Sequence, residues 1–201
     1  MPPFLEKKMN LDQLKRELQK QSVSDIVNNY ILAGDPVCLG GNLDLLMKLK
    51  KSIANHFDIH VKSIEIVGSS KLGISLNDEK LGKLYDTKSD IDVVIVSSEL
   101  FDIGWHELLK LDFKYHKLKT NDRESLKDCY ETMHRGYVSP DRLPVGMDFS
   151  KRWWKIFSEL SSCEEYEYRK VRGRLFKNWW FVEKYYSIQL TKLSKLLGGE
   201  K

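Results

Sequence analysis

The sequence predicts an α/β fold, in the α+β sense of a small mixed sheet flanked by helices and continued by a helical C-terminal part. Three observations carry this. The run 91–96 (IDVVIV) is β-branched everywhere except Asp92, as a strand buried on both faces requires. A second β-rich stretch, Val61, Ile64, Ile66 and Val67, ends on Gly68 and Ser69. Helical periodicity brackets both, at 42–57 and again at about 178–197. With 201 residues, 41% of them hydrophobic, the chain has material for one core. We therefore read 1–201 as a single domain, with N-terminal helices at about 10–57, a central part at about 60–150 and a basic, aromatic part at about 151–201.

In chain order, Asn10 caps a helix over 10–21, with Gln13 three residues on as in a capping box. A second helix is expected over 24–33, ended by Gly34, Asp35 and Pro36. Asn42 caps the third, whose apolar stripe is Leu46, Leu49, Ile53 and Phe57. The strand at 61–67 follows, then a polar loop over 77–89 and the strand 91–96. Residues 101–116 and 122–136 read as helices, and 137–150, with Pro140, Pro144 and Gly146, as mostly loop. A helix near 151–160, a strand at 165–175 and a helix over 178–197 closed by Gly198 and Gly199 complete the chain.

Composition removes several classes. Lys plus Arg is 33 and Asp plus Glu is 29, a net charge of +4, which excludes a heavily basic nucleic-acid wrapper and an acidic disordered tail. The charge is uneven: residues 1–150 carry 21 basic and 23 acidic side chains, whereas 151–201 carry 12 and 6. Cys38, Cys129 and Cys163 are too few and too scattered for a disulfide scaffold or a structural zinc site, which points to a reducing cytoplasm. No apolar run reaches the length of a leader or a membrane span, so no membrane partner is expected. The five histidines form no HExxH pattern or close cluster.

Two segments carry chemistry. In Ser89-Asp90-Ile91-Asp92, at the start of a strand, the carboxylates at i and i+2 project to one face. Two such charges repel unless a cation lies between them, and Mg²⁺ or Mn²⁺ favours this oxygen chemistry. In Val67-Gly68-Ser69-Ser70-Lys71, Gly68 allows close backbone approach to a ligand and Ser69 offers a hydroxyl and an N–H. A turn of helix from Ser70 would add N–H groups, and Lys71 a positive charge. The GxxxxGK[ST] spacing of a Walker loop is absent.

Together these segments, over about residues 42–97, resemble the nucleotidyltransferase superfamily of the DNA polymerase β type: a hydrophobic residue, Gly-Ser, and downstream an Asp-x-Asp. Lys71 and Gly73 look like the basic residue and glycine that follow in minimal bacterial members. The resemblance implies NMP transfer from an NTP such as ATP to an acceptor hydroxyl (on RNA, a protein or a small molecule), with pyrophosphate released. It implies Mg²⁺ or Mn²⁺ on Asp90, Asp92 and a third acid, and nucleotide contacts from Gly68, Ser69, Ser70 and Lys71. Compact bacterial relatives often belong to toxin–antitoxin or phage-defence systems, which leaves room for a protein partner. The alternatives are a catalytically degenerate nucleotide- or partner-binding module, and a nucleic-acid binder using the basic end.

Two departures accompany the resemblance. The gap from Ser69 to Asp90, 21 positions, is long. The third carboxylate, which the family carries on a later strand between apolar neighbours, has two candidates. These are Asp148, between Met147 and Phe149, and Glu167, between Tyr166 and Tyr168; Asp148 is the first choice. Further on, if 168–174 is a strand, Arg172 and Arg174 share a face and suit phosphate. Trp179, Trp180, Phe181, Tyr185 and Tyr186 follow, aromatics that could stack a base, but Trp179, Val182 and Tyr186 lie at spacings of three and four and read as the buried stripe of a helix.

Overall fold

The computed structural model describes residues 9–144 and 146–198. The start of the chain, where no leader is expected, and Gly199 lie outside the described residues.

Among the described residues four strands make one mixed sheet: β1 (Ile64–Val67), β2 (Ile91–Val96), β3 (Tyr137–Val138) and β4 (Val171–Phe176), in the order β1-β2-β4-β3. β1 runs antiparallel to β2, β2 parallel to β4, and β3 antiparallel to β4. The helices are α1 (Leu11–Lys20), α2 (Val23–Ile26), α3 (Leu43–Phe57), α4 (Ser69–Leu72), α5 (Ser98–Asp112), α6 (Thr120–His134), α7 (Asp148–Ser161) and α8 (Trp179–Gly198). The fold is therefore mixed α/β. A parallel β2–β4 pair needs a long crossover, and α5, α6 and α7 supply it.

Side-chain alternation splits the core into two layers. Ile91, Val93 and Ile95 of β2, with Val171 and Leu175 of β4, pack under α3, α5, α6 and α7. Val94, Val96 and Phe176 face the other way, under α1, α2 and α8. Gly173 lets α7 settle on the first face. A Cβ there would come within 2.2 Å of Phe157 and 2.5 Å of Trp153.

The caps form as their residue types suggest. Asn10 accepts from Gln13 N at 2.8 Å, Asn42 from Leu45 N at 3.0 Å and Ser97 from Leu100 N at 3.2 Å. Each such cap contributes about 1 kcal/mol.

Elsewhere the elements differ from the sequence expectation for local reasons. Residues Val61–Ser63 form a 3₁₀ turn rather than strand, because His60 Nδ1 accepts from Lys62 N. The helix expected over 24–33 is one α turn that widens into a π-helical segment, Val27–Leu32. In the predicted strand 165–175, Glu167 and Tyr168 adopt positive φ (55° and 54°), so only Val171–Phe176 is extended. The stretch 137–150 holds the two-residue β3, a 3₁₀ turn at Pro140–Arg142 and the start of α7. Cys38, Cys129 and Cys163 are free thiols, and among the described residues no helix is long and apolar enough to cross a membrane.

Candidate functional site

The register of the sheet builds the site. Pairing of β1 with β2 sets Val67 opposite Asp92, so the Gly68–Ser69 turn lies beside the Asp-x-Asp. Pairing of β2 with β4 sets Asp92 opposite Arg172 and Val94 opposite Arg174. By alternation Asp92, Arg172 and Arg174 project from one face. A cavity of about 220 Å³ opens there. Gly68, Ser69, Asp92, Arg172 and Arg174 line it, with Tyr185, Tyr186 and Gln189 from α8 as one wall.

Gly68 is required by both backbone and space. Its φ is +67°, and a Cβ would stand 3.1 Å from Asp92 Oδ2. Ser70 is buried and fastens the turn to the strand: its Oγ donates to Val67 O at 2.7 Å and accepts from Asp92 N at 3.1 Å. Its hydroxyl is thus committed within the fold, which leaves the backbone N–H as the group of Ser70 that the expected anion contact would use. Lys71 is reassigned. It is 2% exposed, and its ammonium donates to Gly34 O and pairs with Glu65 Oε1 at 3.0 Å. Glu65 in turn pairs with Lys50 at 2.7 Å. Lys71 ties the turn to the segment after α2 and does not line the cavity.

The carboxylates differ from one another. Asp90, just before β2, is half-buried and pairs with Arg172 Nε at 2.9 Å. Burial pushes the Asp92 carboxyl up from 3.8 to about 6, and Asp90 adds to that, while Arg174 and Arg172 oppose it. Arg174 is held by neighbours from two other elements. It donates to the Tyr185 hydroxyl and to Ser139 Oγ at 3.3 Å, and its guanidinium lies 4.8 Å from the Tyr185 ring and 5.7 Å from Tyr137. Burial opposes its charge, yet the surrounding tyrosines and Asp92 keep its pKa above the usual value. Burial likewise pushes the Tyr186 phenol up.

Neither candidate for the third acid joins this group. Asp148 opens α7, the helix that covers the opposite face of the sheet, and it is exposed, with Lys151 at 3.0 Å. Its apolar neighbours Met147 and Phe149 point into that other core layer. Glu167 sits in a left-handed turn before β4 and pairs with Arg169. Arg169 reaches Asp86 O at 2.9 Å and lies 5.0 Å from the Tyr85 ring, pinning the long loop before β2. Among the described residues no three His, Cys, Asp or Glu side chains come together as a metal-holding group.

Several lining residues carry no sequence signal. Asp141 and Arg142 come from the 3₁₀ turn after β3. Ser75 and Asn77 come from the long loop, which folds back on itself through Ser75 N to Lys83 O (2.9 Å) and Gly82 N to Ser75 O (3.0 Å). Gln189 alone had a cue, a polar residue three positions after Tyr186 on an apolar stripe. A second cavity of about 450 Å³ adjoins the first, sharing Ser139, Arg142, Arg174 and Tyr185, with Asp128 and Glu131 on its far side. Trp179 and Trp180 lie apart from both, 40% and 58% exposed, beside Lys50 and Lys62, so the buried stripe of α8 begins at Val182.

Comparison with family models, with curated proteins and with solved structures returns no match.

Proposed function

We propose that this chain is a metal-dependent nucleotidyltransferase that binds an NTP in the 220 Å³ cavity and passes its NMP to an acceptor hydroxyl. The observation that supports this is the meeting of the Gly68–Ser69 turn and Asp92 in one cavity backed by arginines, with Asp90 at its edge, paired to the lining Arg172. That combination resembles the active centre of the DNA polymerase β-type superfamily.

The donor set fits a divalent cation bound together with nucleotide. Mg²⁺ commonly takes one or two carboxylates and fills its other positions with phosphate oxygens and water. Asp90 and Asp92 would be the two carboxylates, and the charge of Asp92, disfavoured by burial and by Asp90, gains from a cation. Bound there, Mg²⁺ or Mn²⁺ supplies Lewis-acid polarisation of the phosphate. The protein's own groups do the rest. Gly68 leaves room for the phosphates, Arg172 exchanges Asp90 for a phosphate oxygen, and Arg142 and Arg174 neutralise the tail. The adjoining 450 Å³ cavity gives the acceptor a place on the arginine side. The acceptor oxygen bonds to the α-phosphorus and its proton passes to solvent. The bond from that phosphorus to the bridging oxygen breaks, and its electron pair leaves with pyrophosphate.

One observation favours a second reading, a catalytically degenerate nucleotide-binding module: β3 and β4, the strands after β2, carry no carboxylate. Label transfer from each of the four α-labelled NTPs separates the two. Transfer by the wild type that is lost in Asp90→Ala/Asp92→Ala supports the enzyme. Nucleotide binding with no transfer to RNA, protein or small-molecule acceptors supports the module. Transfer undiminished in the double variant would falsify the role of both aspartates. The free cysteines suit a reducing compartment such as the cytoplasm.

A further inference from the structure

Resting on the nucleotide reading above, we propose that this pocket works with a single divalent cation. The guanidinium of Arg174 supplies the fixed positive charge on the β4 side, where a third carboxylate would hold another metal.

Four observations lead there. First, β4 is the strand hydrogen-bonded to β2 on the side away from β1, and its sequence, VRGRLF, has arginines at two of the three positions that share a face with Asp92, the third being Phe176. Second, the carboxylates expected to complete a metal triad are turned elsewhere: Asp148 caps the opposite layer and Glu167 is bound to Arg169. Third, Arg174 is prepositioned by neutral partners, the Tyr185 hydroxyl and Ser139 Oγ, with the Tyr185 and Tyr137 rings 4.8 and 5.7 Å from its guanidinium. Its charge is not consumed by an acid, so it is available to a ligand, and a guanidinium matches phosphate oxygens in a two-pronged geometry. Fourth, Asp141, the other carboxylate on the cavity wall, is exposed beside Arg142 and forms no three-ligand group with Asp90 and Asp92.

A second dication beside Arg174 would meet repulsion in place of ligands. A phosphate tail meets attraction. As the bond to the bridging oxygen breaks, charge accumulates on the departing pyrophosphate, and Arg174 neutralises part of it without depending on a metal. Unlike a metal, that charge is covalently fixed and is present in the empty pocket.

The test counts Mn²⁺ on the full chain. Free Mn²⁺ is followed by electron paramagnetic resonance during titration of the protein with α,β-imido analogues of the four NTPs. We expect one Mn²⁺ per nucleotide-bound chain. Arg174→Gln should retain that count and weaken nucleotide binding at least about tenfold, the loss of one charge-assisted hydrogen bond. Arg174→Lys should recover part of the affinity. The wild-type count needs no variant to fold, and circular dichroism checks the two that do. Two Mn²⁺ per nucleotide-bound chain, above all with the second lost in Asp141→Asn, overturns the single-cation inference and leaves the nucleotide reading standing. No nucleotide binding by the wild type overturns both.

Discussion

Asp92→Asn should make the folded protein more stable at neutral pH while abolishing the proposed nucleotidyl transfer. The sign follows from the direction of the pKa. In the unfolded chain Asp92 releases its proton near 3.8, but in the fold burial delays release to about 6. Between those values the folded state binds more protons, so stability is full below pH 3.8 and falls as pH rises through 6. At about 1.4 kcal/mol per pH unit, the loss approaches roughly 3 kcal/mol above pH 7 and is only about 1 kcal/mol at pH 4.5. An asparagine has the same shape and no charge to bury. Urea or thermal unfolding in chelator, at pH 4.5 and pH 7.5, should therefore find the variant favoured by roughly 3 kcal/mol at the higher pH, about 6–12 °C in Tm for a chain of this size. Its advantage should shrink by about 2 kcal/mol at the lower pH. A variant no more stable than the wild type at pH 7.5, or an advantage that does not change with pH, refutes the reasoning that Asp92 is a strained, functional carboxylate.

Other consequences are simpler. Gly68→Ala places a side chain at positive φ and 3.1 Å from Asp92 Oδ2, so it should cost about 1–3 kcal/mol by urea melt and weaken nucleotide binding measured by fluorescence titration. Lys71→Met leaves Glu65 with Lys50 as its remaining ion partner and Gly34 O without a donor; about 1–3 kcal/mol of stability should be lost, and purified folded variant should bind nucleotide within about threefold of wild type. Asp148→Asn and Glu167→Gln should transfer label at rates within about twofold of wild type, since each is exposed and turned away from the cavity; a hundredfold loss in either would restore it as the third acid.

The parts legible in the sequence were those that depend on neighbours along the chain. The cap at Asn42, the stripe of α3 and the β-branched run of β2 are local signals, and Gly-Ser and Asp-x-Asp each sit within a few residues. What brings those two motifs together is register, and the alternation of side chains sufficed to place Arg172 and Arg174 on one face. The failures concern direction. Asp148 between Met147 and Phe149 resembles a strand pattern, but those flanking residues are the N-cap and first turn of an amphipathic helix seated on the opposite layer. Lys71 points at Glu65, six positions earlier in the chain, and no pattern in the sequence announces that. Arg142 and Asp141 reach the cavity because a two-residue strand, too short to read, swings their turn across it.

The most direct measurement is a crystal structure of the full chain with Mn²⁺ and an α,β-imido NTP. The account predicts the triphosphate in the 220 Å³ cavity, against Gly68 and Ser69 on one side and Arg172 and Arg174 on the other, with Mn²⁺ on Asp90 and Asp92. Nucleotide bound elsewhere on the chain, or a cavity left with Asp90 still paired to Arg172 at saturating ligand, would contradict it.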